Sequence, residues 1–141
     1  MNSLVQAAVP PRLLLVSRYT ELLARLRSDT AGVVNASIAT ADGLAVASTL
    51  VDEQDADRLA AMSGSIAALA SALTRETGHG EPERVVLESA TGVIVSLKVP
   101  GQQGGLVLTV VTDQNAVLGK LLWACRATAA EIAACADALP A

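Results

Sequence analysis

The side chains most often recruited for acid-base, nucleophilic or metal chemistry are few here: one histidine, His79, and two cysteines, Cys125 and Cys135, beside fourteen carboxylates. A lone histidine cannot supply the His pair of a zinc site and excludes HExxH, and His79 sits in Gly78-His79-Gly80-Glu81-Pro82, a solvated turn with no general-base partner in sequence reach. Cys125 and Cys135 fall in one helical stretch, about 15 Å apart along its axis, too far for a mutual bond. With no histidine beside them they read as reduced core thiols. Asp52, Glu53, Asp55 and Asp57 lack the spacing and terminal bidentate Glu of a calcium loop and suit a helix start instead. Gly119-Lys120 has Gln114 where a phosphate loop needs its first glycine and Leu121 where it needs Ser or Thr. GxSxG and GxGxxG do not occur, and Asn35-Ala36-Ser37 matches a glycosylation triplet inside an expected strand. The expectation is therefore no catalytic residue, no metal and no cofactor, in a non-enzymatic protein.

Composition narrows the partners. The 141 residues carry 10 Lys and Arg against 14 Asp and Glu, with one Trp, one Tyr and no Phe. An acidic chain with almost no rings offers neither phosphate neutralisation nor base stacking, so nucleic acid is excluded. The early apolar run Leu13 to Val16 is too short for a signal core. The uncharged stretch Leu59 to Thr74 is too short and too rich in Ala, Ser and Gly to insert in a membrane, and a cytoplasmic location is expected. The length suffices for one domain with a real core. Residues 1–14 read as a mobile N-terminal extension and 15–141 as the domain, with Pro10-Pro11 closing the aperiodic start.

Eight elements follow from period and punctuation. Leu15, Tyr19, Leu22, Leu23 and Leu26 recur at helical spacing in a first helix ending near Ser28. Gly32 releases the chain into VVNASIAT, and Asp42-Gly43 turns it into LAVAS as a hairpin. A long second helix runs from about Asp55 to Thr77, where Gly78 stops it. RVVLES, GVIVSLKV and LVLTVV make strands three to five, and a last helix places Leu118, Leu121, Leu122, Cys125, Ala129, Ile132 and Leu139 on one side. The order α-β-β-α-β-β-β-α predicts an α/β layered, α+β type fold, a five-stranded mainly antiparallel sheet flanked by three helices.

The second helix holds the most informative pattern. Leu59, Met62, Ile66, Leu69 and Leu73 form a stripe expected to lie on the sheet. Roughly opposite sit Ala60, Gly64, Ala67 and Ser71, small residues that would let a second helix approach closely. With no charge between Arg58 and Arg75 to solvate the helix, this small stripe is expected to be a homodimer interface; the alternative is solvent-facing filler in an Ala-rich chain. Strand three, with Val85, Val86, Leu87 and Glu88, is expected to be an edge that needs pairing, and to join the same interface.

The arrangement resembles the Roadblock family of dynein-light-chain-like, profilin-like domains over Tyr19 to Leu139. The residues carrying the resemblance are Gly32-Val33-Val34-x-x-x-Ile38, Ala41-Asp42-Gly43-Leu44, the Ala-rich second helix, and Asn115-Ala116-x-Leu118-Gly119 after strand five. It implies a homodimer joined through strand three with the second helices packed together. It further implies a platform for a small Ras-like GTPase, which supplies the nucleotide chemistry, with a sensor-like protein as a further associate of bacterial members. Such a platform would act by favouring one state of the GTPase switch loops. The rival reading is a sensory ligand-binding module of the PAS or GAF kind, which also lays helices on a five-stranded sheet but needs a pocket with convergent polar groups.

Overall fold

The structure is a computed structural model and describes residues 10–101 and 105–137. Helix α1 spans Pro11–Asp29, strand β1 Val33–Thr40, β2 Ala45–Ser48, helix α2 Glu53–Glu76, β3 Val85–Ser89, β4 Gly92–Lys98, β5 Leu106–Thr112 and helix α3 Leu118–Asp137. The α-β-β-α-β-β-β-α order is the expected one. Helix α1 starts earlier than the periodicity indicates, because Pro11 occupies its first turn, where a fixed φ and a missing N–H cost nothing. Leu13 and Leu14 point into solvent, which is why the apolar period begins only at Leu15. Residues 11–14 thus belong to the helix and not to an extension, and residues 1–9 lie outside the described residues.

Local chemistry accounts for the boundaries. The Asp52 carboxylate accepts hydrogen bonds from the N–H groups of Gln54 (2.8 Å) and Asp55 (3.2 Å), capping α2, while Glu53 and Asp55 sit favourably in its positive first turn. The β1–β2 hairpin turns through Gly43 at φ +93°. There the Leu44 N–H donates to the Thr40 hydroxyl at 2.9 Å, and the Thr40 N–H to the Leu44 carbonyl at 2.8 Å.

Every pairing in the sheet is antiparallel, in the order β2-β1-β5-β4-β3, so β2 and β3 are its edges. Its two faces differ in chemistry. On one, Ala36, Ile38, Val95, Leu108 and Val110 meet Tyr19, Leu22, Leu23 and Leu26 of α1 and Leu121, Cys125, Ala129 and Ile132 of α3 in a single buried cluster. This is the main core, and the expected apolar faces of both helices supply it. Leu118 departs from that expectation at 39 % exposed, and Leu139 lies outside the described residues. The other face carries Ser37, Ala39, Ser96 and Thr109, all buried beneath α2.

That second face reverses the expected orientation of α2. Ala56, Ala60, Ser63 and Gly64 are its buried residues, while Met62, Leu69 and Leu73 are 56, 70 and 62 % exposed. Ala60 and Gly64 of the small stripe lie on the sheet, while Met62, Leu69 and Leu73 of the large one face outward and Leu59 and Ile66 are half-buried. A floor made mostly of small and hydroxyl side chains, with Val107 beside them, lets a helix with small residues settle close to the backbone. The closest approach is at Gly64, where a Cβ would lie 2.8 Å from the Gly43 nitrogen and 3.1 Å from the Ala41 carbonyl oxygen. Across this interface the Thr109 hydroxyl donates to Ser63 Oγ at 2.8 Å, Ser63 donates to the Leu59 carbonyl at 2.8 Å, and Ser96 Oγ lies 3.2 Å from Thr109.

Candidate interaction surface

Residues with chemical potential occupy structural roles. His79 is exposed, its Nδ1 2.9 Å from the Thr77 hydroxyl at the C-terminal cap of α2. Burial pushes the Cys125 thiol up to about 12, far from a reactive thiolate, and Cys135 is half-buried. The Asn35 side chain accepts from Thr49 Oγ1 at 3.0 Å. Gly119 and Lys120 fall in the first turn of α3. Among the described residues no cluster of three or more His, Cys, Asp or Glu side chains is placed to hold a metal. No helix among them is long and apolar enough to cross a membrane.

What the fold does present is the outer face of α2. From Leu59 to Thr74 the helix has no charge, yet Met62, Leu69 and Leu73 stand in solvent with exposed Ala61, Ser65, Ala68 and Ala72 alongside. A soluble helix ordinarily turns a charged face outward, and an apolar one marks a contact surface. Of the residues expected to form that surface, Ala60 and Gly64 are instead sealed against the chain's own sheet. Ala67 lines a hollow of only ≈ 20 Å³ above Val107, room for about one water. Ser71 bonds within the chain. The signal for the reversal lay in the strands: Ser37, Thr109 and Ser96 share the α2 face at one register, with Ala39 two residues along.

Strand β3 is an edge, as expected. Val85 and Val86 are half-buried, Val86 against the core, while Leu87 is 45 % exposed and Glu88 is exposed. Leu87 pairs with Ile94, whose side chain shares the α2 face of the sheet. The connection from α2 to β3 carries a contact of three side chains, exposed Lys98 and Glu81 and half-buried Ser71. Lys98 Nζ lies 2.9 Å from Glu81 Oε2 and donates to Ser71 Oγ at 3.2 Å, and Ser71 donates to the same carboxylate at 3.2 Å. Hydrogen bonding from Lys98, then from Ser71, together with the Lys98 charge, holds the Glu81 carboxyl below its usual range. This latch ties α2, through Ser71, to the α2–β3 connection and to β4.

Comparison with known proteins agrees with this layout. The structure superposes on Myxococcus xanthus MglB with a TM-score of 0.78 at 18% identity, covering 89% of this chain and 92% of that one. For the gliding protein MglB of Thermus thermophilus the TM-score is 0.75 at 19% identity, covering 89% and 93%. A Roadblock/LC7 domain from Streptomyces avermitilis gives 0.74 at 19% identity, covering 80% and 92%. A search of curated proteins finds no match. The Roadblock/LC7 domain pattern itself matches residues 19–112, from the buried tyrosine of α1 to the last residue of β5. With that match spanning the whole sheet and the helix it supports, the chain belongs to the Roadblock/LC7 domain family.

Proposed function

We propose that this chain is a non-enzymatic homodimeric module that binds and regulates a small Ras-like GTPase. The observation that carries the reading is the uncharged outer face of α2, with Met62, Leu69 and Leu73 exposed, beside the open edge of β3. A twofold axis beside that edge and perpendicular to the sheet would pair Val85 to Glu88 of each protomer antiparallel and bring the two α2 helices together on one side. One isologous contact would then cover both exposed features. The helix contribution comes from Met62, Leu69 and Leu73, since Ala60 and Gly64 are already covered within the protomer. Family membership and the MglB-like architecture support a GTPase as the partner. The GTPase brings its own nucleotide chemistry, and the module acts by preferring one state of the switch loops. A sensor-like protein is a further partner by the same resemblance.

The experiment is affinity capture on the tagged chain from its own cell lysate, with GDP and with a non-hydrolysable GTP analogue, alongside light scattering on the purified chain. Recovery of a Ras-like GTPase in one nucleotide state by a protein of twice the monomer mass is the expected result. A monomer that recovers no GTPase in either state overturns the reading.

A further inference from the structure

On the face of the sheet opposite α2 stands the chain's single tryptophan. Trp123 is 73 % exposed on α3, while the only other aromatic ring, Tyr19, is buried at 2 %. A ring that could have filled the core is thus spent on solvent, with Val117 (57 % exposed) and Leu118 (39 %) just before it. Trp123 separates two grooves between α1 and α3. One of ≈ 510 Å³ runs past Val117, Gly119 and Lys120; the other, ≈ 210 Å³, has Leu22 and Leu26 at its base. Both grooves share Asp29, Thr30, Trp123 and Ala124 as lining.

The charge around the ring is unevenly divided: Asp29 and Glu131 stand against Arg25 and Lys120, and the acidic excess falls in the smaller groove. Asp29 is exposed at the C-terminal end of α1, where the helix's own negative pole disfavours a carboxylate, and it forms no ion pair among the described residues. It accepts a hydrogen bond from the Ser28 hydroxyl at 3.2 Å. In the smaller groove Asp29 joins Glu131 and Arg25, which pair with each other at 3.4 Å, so two carboxylates face one guanidinium. Lys120 belongs to the larger groove alone, which leaves the smaller one the more negative.

An exposed indole beside an unpaired carboxylate is complementary to one side chain above others. A guanidinium can stack on the ring by cation–π attraction while its N–H fork reaches the carboxylate. We propose that the α1–α3 face is a second protein-docking surface. Its occupant is a segment of another protein whose arginine stacks on Trp123 and pairs with Asp29 in the smaller groove. A neighbouring small apolar side chain of that segment enters the larger groove against Val117. This surface lies across the sheet from α2.

The test pans a random peptide library on the full-length chain, with counter-selection on the Trp123→Ser variant. The expected peptides carry an arginine next to small apolar residues and change the fluorescence of the single tryptophan. Their affinity should fall about tenfold or more in Asp29→Asn and stay unchanged in Val51→Ser, at a fully exposed position ahead of α2. Failure to recover wild-type-specific peptides overturns the proposal, as do peptides lacking arginine or indifferent to Asp29→Asn. A wild-type assembly larger than that of Trp123→Ser in sedimentation also overturns it, since a second copy would then be the occupant. All three substituted residues are exposed, and circular dichroism confirms that each variant keeps its helices.

Discussion

Gly64 of α2 and Gly43 of the β1–β2 hairpin meet backbone to backbone, with no room for a side chain between them. A Cβ on Gly64 would stand 2.8 Å from the Gly43 nitrogen and 2.9 Å from its Cα, and one on Gly43 would stand 3.2 Å from the Ala61 Cα. Because the obstacles are backbone atoms, no rotamer change relieves them. Gly64→Ala should therefore lower stability by about 2 kcal/mol, and Gly64→Leu by more, through overpacking. Thermal unfolding checks this; a Gly64→Ala midpoint equal to wild type would contradict the contact. Loss of the dimer in Gly64→Leu would be secondary to loss of the fold.

The exposed stripe behaves oppositely. Leu69 is 70 % exposed, so Leu69→Glu removes little burial within the protomer and should leave its helical content and unfolding midpoint nearly unchanged. In a dimer that packs α2 on α2, the same substitution places two buried carboxylates at the seam and should convert dimer to monomer in sedimentation. An unchanged dimer would move the interface elsewhere.

Beneath α2, two hydroxyls give contrasting expectations. Ser37 Oγ is buried with no hydrogen-bond partner in the structure, so Ser37→Ala should be neutral or stabilising by up to about 1 kcal/mol. Thr109 links Ser63 and Ser96, and Thr109→Val strands the buried Ser96 hydroxyl while Ser63 keeps its bond to the Leu59 carbonyl, which should cost about 1–3 kcal/mol. Denaturant titrations of the two variants decide it, and a Ser37→Ala loss as large as that of Thr109→Val would refute the distinction.

The latch between α2 and β3 should be sensitive to acid. The Glu81 carboxyl is held below its ordinary value of 4.5 in the folded chain, so the unfolded chain binds more protons in the interval between the two values. Stability from this group is fully present above 4.5 and fades as the pH drops through the folded value. Lys98→Met removes the chief cause of the depression. Amide exchange in residues 79–84 should then be faster at neutral pH and should lose its acid-dependent acceleration. Exchange identical to wild type at both pH values would show that the latch holds nothing.

The elements were legible because their boundaries are written in local chemistry. Asp42-Gly43 made the hairpin, Asp52 and its neighbours opened α2, Gly78 closed it, and β-branched runs gave the three later strands. The orientation of α2 was not legible in α2 itself. Size suggests that Leu59, Met62, Ile66, Leu69 and Leu73 go inward, yet Met62, Leu69 and Leu73 stand outside because of what the sheet offers beneath, mostly Ser37, Ala39, Ser96 and Thr109. That floor is assembled by the pairing of β1 with β5 and of β5 with β4, a tertiary fact that helix periodicity does not carry. The start of α1 was missed for a similar reason, since Leu13 and Leu14 have no partner to give them a period.

The strand order has a consequence for how the chain is made. A hairpin, β1–β2, and a meander, β3–β4–β5, are each local, but they join along a single seam between β1 and β5, the first and last strands in the chain. During synthesis the hairpin and α2 emerge with neither the seam nor the core cluster available, because β5 and α3 come last. The domain cannot fold by halves: closing that long loop is the costly step, and until it closes the apolar side of the hairpin and the outer stripe of α2 are exposed together. Nascent chains stalled before Thr112 should accordingly depend on chaperones, and full-length ones should not.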